Sequence, residues 1–305
     1  MLEVIPRIKL YDYVDPADAE CVRRETETVM GECFPGYDGS VFRNAFEDVQ
    51  RLFFGMYPGF KASNTKYHDF EHTCSVVLAT ARLIYGGLVQ GEDYAEADCL
   101  KGLLASLFHD VGLIQDDGDD QGTGAKYTVG HEERSILFMR RNLDNALAPD
   151  DLDDIADCIR CTILDMSPSK VAFRSETMRK MGYFLGSADL LAQIADRYYL
   201  EKLLLLFEEF QEARLPGYES AYDLLSKTDS FYQDVARVRL DQEFQGVDAY
   251  MRSYFRKRWN VDKDLYAEAI ERNLSYLDKI LSEHSDDLKT FLGNLRRDFS
   301  HMKNS

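Results

Sequence analysis

Residues 67–83 read Tyr67-His68-Asp69-Phe70-Glu71-His72-Thr73-Cys74-Ser75-Val76-Val77-Leu78-Ala79-Thr80-Ala81-Arg82-Leu83. A short polar lead opens into side chains whose apolar members recur at three and four. Wound at 3.6 residues per turn, Val76, Val77, Thr80 and Leu83 fall on one stripe, so the stretch predicts an amphipathic α-helix entered through two histidines. The same period returns elsewhere. Ile270, Leu274, Leu277 and Leu281 make a similar stripe near the C-terminus, and the prolines at 6, 16, 35, 58, 149, 168 and 216 leave long intervals unbroken. Period-two runs joined by Asn-Gly or Asp-Gly turns are not apparent, nor is a repeat of fixed length. The expectation is an all-α chain.

A chain of 305 residues that is 45% hydrophobic and 30% charged can bury a sizeable core and needs no disulfide staples. Six thinly scattered cysteines fit reduced thiols. With 54 acidic against 36 basic side chains the formal charge is −18, which repels a phosphate backbone and argues against general nucleic-acid binding. The apolar run Leu103–Ile114 is interrupted by His109 and Asp110, so no membrane span is expected, and the absence of an apolar leader at the start points to a cytoplasmic protein.

The chain divides by content. Residues 1–60 form a helical lead-in, with helices expected over Pro16–Cys33 and Ser40–Gly55; residues 61–215 hold the chemistry; residues 216–305 are a helical extension packed on that core. Its amphipathic helices could bury a partner surface, which keeps a homodimer open. The aperiodic stretch Asp116–Gly124 reads as a mobile surface loop.

Four of the six histidines, His68, His72, His109 and His131, cluster within about sixty residues. His68 and His72 stand four apart, so both imidazoles can face one side of the first helical turns, one toward a metal and the other toward a substrate. Alone, the pair would read as two exposed residues at a helix start. The apolar helix Leu103–Phe108, however, delivers His109 and Asp110 into a setting where an ionised carboxylate must be paired, hydrogen-bonded or metal-bound. Adjacent helical residues diverge by about 100°, so these two can share an ion only if it sits at the seam between them. Asp189, within Gly186-Ser187-Ala188-Asp189-Leu190-Leu191, poses the same buried-acid problem, whereas Asp196, followed by Arg197 and Tyr198, reads as a surface or ion-paired group. Two imidazoles and two carboxylates suit Zn²⁺, Mn²⁺ or Fe²⁺ with positions left for water.

The order His72, His109-Asp110, Asp189 on successive helices resembles the signature of the HD-domain metal-dependent phosphohydrolases. The Tyr67–His72 opening is similar to the YHNxxH start of class I cyclic-nucleotide phosphodiesterases, with Asp69 in place of Asn, and Gly130-His131-Glu132-Glu133-Arg134-Ser135 resembles the GHxxxS element of many HD domains. The resemblance spans about residues 61–210. It implies an HD-type helical bundle with one or two divalent ions (Zn, Mn, Mg or Fe) held by His72, His109, Asp110 and Asp189. It further implies that Asp110 can bridge to a second ion, that His68 is the general acid and that His131 lines the substrate or second-metal side. The implied reaction is attack of metal-activated water on a phosphorylated small molecule, a nucleotide or cyclic nucleotide above all. Three departures stand out. Leu113 and Ile114 follow Gly112 where a lysine is usual, leaving phosphate contacts to Lys126 or Arg134; Asp157–Thr162 lacks the further histidine of dinuclear relatives; and no GYP element follows.

Other signals are weaker. Cys158 and Cys161 have zinc or redox spacing but lie among Ile155, Ile159 and Ile163, as core residues would. Gly122–Lys126 lacks the spacing and preceding strand of a phosphate loop, and Arg256-Lys257-Arg258 reads as a solvated helix face. Two further functions compete with hydrolysis: a di-iron oxygenase, which would need more histidine ligands, and a non-catalytic HD module that binds a nucleotide or a partner.

Overall fold

The computed structural model describes residues 8–283, which form eleven α-helices without a named strand among them. In chain order these are α1 (Ala19–Cys33), α2 (Ser40–Phe53), α3 (Phe70–Val89), α4 (Glu96–Phe108), α5 (His131–Leu143) and α6 (Pro149–Ile159). There follow α7 (Glu176–Ile194), α8 (Tyr199–Glu212), α9 (Ala221–Phe231), α10 (Tyr250–Trp259) and α11 (Leu265–Glu283). The all-α expectation holds. His284 and His301 lie outside the described residues.

Helix starts follow local chemistry. The Pro16–Cys33 helix begins three residues late, because the Asp18 carboxylate accepts the Cys21 N–H and so marks the start of α1. In the same way Asp69 accepts the His72 N–H at 2.8 Å and caps α3. His68 therefore lies on the lead-in rather than on the helix, a correction to the paired-face reading. The second predicted helix ends at Phe53, and Gly55 beyond it takes φ 69°, which only glycine adopts without strain.

The bundle is organised around α3. It is buried along almost its whole length, and α1, α4, α7 and α10 pack on it. By length and composition this helix could cross a membrane, with mean hydropathy 1.3, but 89% of that window is covered by the protein itself. Gly86 lets α10 approach: a Cβ there would stand 2.1 Å from the Tyr250 carbonyl oxygen. Fully buried Arg82 sits over the rings of Tyr254, Phe255 and Tyr266 at 5.3–5.6 Å and bonds the Tyr266 hydroxyl, tying α3 to α10 and α11. Helices from before residue 60 and after residue 215 thus cover the same central helix as those between. In the basic cluster, Arg256 and Lys257 are exposed as expected, while Arg258 reaches back to Glu25 of α1 at 3.1 Å.

The stretch Asp116–Gly124 is on the surface but is not loose. Lys61 binds the Asp119 carbonyl at 2.7 Å and the Asp120 carboxylate at 2.6 Å; Lys126 and Tyr127 both bind the Asp119 carboxylate, and Thr123 binds Glu212 of α8. The mobile loop expected from composition is a fastened one.

Candidate metal centre

Leu103, Leu104, Leu107 and Phe108 are fully buried, so α4 carries His109 and Asp110 into the interior as it ends, leaving them 1% and 4% exposed. The His109 Nδ1 lies 2.8 Å from the Ser106 carbonyl, which can only accept; Nδ1 therefore carries hydrogen, and Nε2 turns to Asp110. That Nε2 stands 3.2 Å from Asp110 Oδ2, and neither atom has a hydrogen-bond partner. A nitrogen lone pair and a carboxylate oxygen this close repel unless a proton or a cation lies between them.

Two other helices bring donors to the same point. His72, in the first turn of α3, places Nε2 3.5 Å from Asp110 Oδ2 and 3.3 Å from Asp189 Oδ1 of α7; Asp189 Oδ1 is 3.9 Å from His109 Nε2. Adjacent ligands of one ion at metal–donor distances near 2.1 Å lie roughly 3.0–3.4 Å apart, so the separations suit a shared cation. His72, His109 and Asp110 each offer a ligand atom within 4.8 Å of the others. The donor set and its orphaned atoms fit a divalent ion.

His131 approaches Asp110 from the other side. Its Nδ1 bonds the Thr128 carbonyl at 2.8 Å and its Nε2 lies 3.2 Å from Asp110 Oδ1, so the carboxylate is shared between two sets of imidazoles. Close packing of α5 fixes this. A Cβ on Gly112 would stand 2.0 Å from the His131 carbonyl oxygen, and the buried Ser135 hydroxyl accepts the Gly112 N–H at 2.8 Å while donating to the His109 carbonyl at 2.6 Å. Glycine, histidine and serine act together here, one giving room, one the imidazole and one the clasp.

Without a cation the charges settle by protonation. Burial alone would lower the His109 pKa, but the Asp110 carboxylate outweighs it and drives the value up to about 9. His131 behaves alike: burial opposes, the hydrogen bond and charge of Asp110 prevail, and the value reaches about 9. Burial would raise Asp110, yet His109 holds it well below the carboxylate range; burial likewise opposes the lowering of Asp189, which His72 leads.

His68 bonds its Nδ1 to Glu209 Oε2 of α8 at 2.7 Å, and the other oxygen of that carboxylate accepts the Tyr67 N–H at 2.7 Å. The His68 ring centre is 5.8 Å from that of His72 and 6.5 Å from that of His131. All six predicted residues, His68, His72, His109, Asp110, His131 and Asp189, are thus brought together. His68, Asp110, His131 and Asp189 open on a cavity of about 610 Å³.

Sequence reasoning misses Glu209. Its signal is faint: it stands three and four residues after Leu206 and Leu205, an acid on the buried face of α8. The suggested phosphate contacts are corrected. Lys126 is bound to Asp119, and Arg134 donates to the Gly112 and Ile114 carbonyls at 2.7 and 3.1 Å, so both brace the turn instead of lining the cavity. Asp196 is ion-paired, as one alternative held, but it is buried, with Lys202 Nζ at 2.5 Å. Cys158 and Cys161 are buried in the core with thiols pushed up in pKa by burial.

A family of unknown function, described as Npun_R2479-like, matches residues 56–163. That span carries His68, His72, His109, Asp110 and His131 and stops short of Asp189. No curated protein matches the chain.

Proposed function

We propose that the chain is a metal-dependent phosphohydrolase of the HD type, hydrolysing a phosphate ester. One observation carries the reading: the unpartnered His109 Nε2 and Asp110 Oδ2 face each other at 3.2 Å, with His72 and Asp189 completing the ring, at the end of a cavity. A divalent ion held there supplies a water of lowered pKa and offsets charge on the phosphoryl oxygens.

The chain's own groups provide the rest. Burial alone would make His68 give up its proton, but the Glu209 carboxylate outweighs it and raises the pKa above the ordinary imidazole value, which favours the protonated ring. With Nδ1 taken by Glu209, His68 Nε2 is left to donate to a departing ester oxygen. Asp110 offers Oδ2 toward His72 and His109 and Oδ1 toward His131, so its two oxygens would be available to one or two ions.

The test is metal analysis of the purified protein followed by nitrophenol release from mono- and bis-nitrophenyl phosphate with Mn²⁺, Zn²⁺, Mg²⁺ or Fe²⁺. Turnover that follows metal content, lost in His109→Ala along with the metal and in His68→Ala with the metal retained, is the expected pattern. Inertness toward both esters with every ion would overturn the proposal.

A further inference from the structure

The cavity has two chemically different ends. Beyond His68, Asp110, His131 and Asp189, its wall comprises Leu203, Leu206 and Phe210 of α8, Leu224 and Phe231 of α9, and Tyr218 between them. Phe210 and Tyr218 stack with ring centres 5.7 Å apart and planes at 18°. The polar side chains Thr162, Gln193 and Thr228 in this lining are neutral. A volume of about 610 Å³ exceeds what a phosphoryl group needs and matches pockets that enclose a small organic molecule.

Cationic groups are scarce in it. Histidines aside, Arg239 is the one cation lining the cavity among the described residues, and its guanidinium is already engaged. It donates to the carbonyls of Leu164, Met166, Cys161 and Ile163 at 2.9–3.3 Å and pairs with Glu243 at 3.2 Å. Glu132 and Asp165 add negative charge to the lining. Phosphates beyond the one at the metal end would meet carboxylates and hydrocarbon with no counter-charge, which is costly, whereas an aromatic or aliphatic group gains by leaving water.

We infer that this site takes esters bearing a single phosphoryl group on a bulky apolar or aromatic alcohol, and rejects nucleoside polyphosphates. The inference rests on the hydrolase reading above and narrows it. Each turnover consumes one water: its oxygen forms a bond to phosphorus, the ester P–O bond breaks, and the departing alcohol oxygen keeps the electron pair and takes a proton.

The experiment measures kcat/KM of the full chain, loaded with Mn²⁺, for 1-naphthyl phosphate, phenyl phosphate and dATP. The second ring should give naphthyl phosphate about a tenfold advantage over phenyl phosphate through added burial, with dATP slower than either. Phe231→Lys, at a half-buried wall position, should move the naphthyl phosphate to dATP ratio about tenfold toward dATP by introducing a counter-charge where hydrocarbon stood. Leu206→Ala should lessen the naphthyl over phenyl preference. Equal rates for the two aryl esters, or dATP cleaved as well as naphthyl phosphate, would overturn the inference while leaving the hydrolase reading in place. Cleavage of none of the three would overturn the inference, and inertness toward both nitrophenyl phosphates as well, with every divalent ion, would remove the hydrolase reading.

Discussion

Replacing Asp110 by asparagine should cost the protein stability with and without metal, for two separable reasons. In the metal-free state the carboxylate holds His109 and His131 protonated, each with a pKa near 9 against an ordinary 6.5. At pH 7, linkage from such a shift is worth about 2–3 kcal/mol for one histidine; because both share a single carboxylate, the loss in Asp110→Asn is about 3 kcal/mol rather than twice the single value. In a chain of this size that lowers Tm by about 5 °C or more. In the metal-loaded state a neutral amide replaces an anionic ligand, and the stabilisation by ion at 100-fold over Kd, about 2.7 kcal/mol, should vanish. Thermal melts in EDTA and in MnCl₂ at pH 7 separate the two contributions. Wild type should gain on metal addition; Asp110→Asn should start lower and gain nothing. If the variant melts level with wild type in EDTA, or keeps the full metal gain, the account of this carboxylate is wrong.

Three further outcomes follow from the geometry. Because the two histidine pKa values are raised, their stabilisation is present below about 6.5 and lost as pH rises through about 9. Melts of metal-free protein should thus fall across that window while Mn²⁺ affinity rises, since ligation displaces the same protons; two flat profiles would contradict this. Ser135→Ala removes the group that satisfies a buried N–H and a buried carbonyl, and should cost about 2–4 kcal/mol in urea melts, with weaker metal retention; a loss within error would show that the clasp is dispensable. Glu209→Gln should leave metal content intact but lower turnover by on the order of 10²-fold by loosening the His68 proton; equal losses of metal and rate would instead make Glu209 a scaffold residue.

Helical class was legible because 3.6-residue periodicity is a local property and nothing in the chain contradicts it. The His109-Asp110 end of α4 was legible for a related reason: two ionisable groups closing an apolar helix must find partners. What escaped depends on distant contacts. His68 looked helical until Asp69 claimed the cap, because spacing alone does not say which polar residue captures the first free N–H groups. Glu209 resembles any solvated helix acid unless its register against Leu205 and Leu206 is weighed. Lys126 and Arg134 misled because proximity in sequence to the loop suggested phosphate contacts, whereas a nearby carboxylate and two backbone carbonyls hold them. Arg239 gathers four carbonyls from a segment more than seventy residues earlier, which no local pattern records.

The enclosure of α3 also sets an order of events during synthesis. This apolar segment, Phe70–Val89, leaves the ribosome with α1 and α2 already made, the latter touching it through Phe46 and Phe53 at Phe70; α4 and α7 come later, and α10, whose backbone seats on Gly86, comes only at residues 250–259. Until then the nascent chain carries a greasy helix with one flank bare, the kind of surface that recruits chaperones or drives premature association. Release of a chain shortened before Trp259 would therefore be expected to yield inclusion bodies in place of a smaller folded protein.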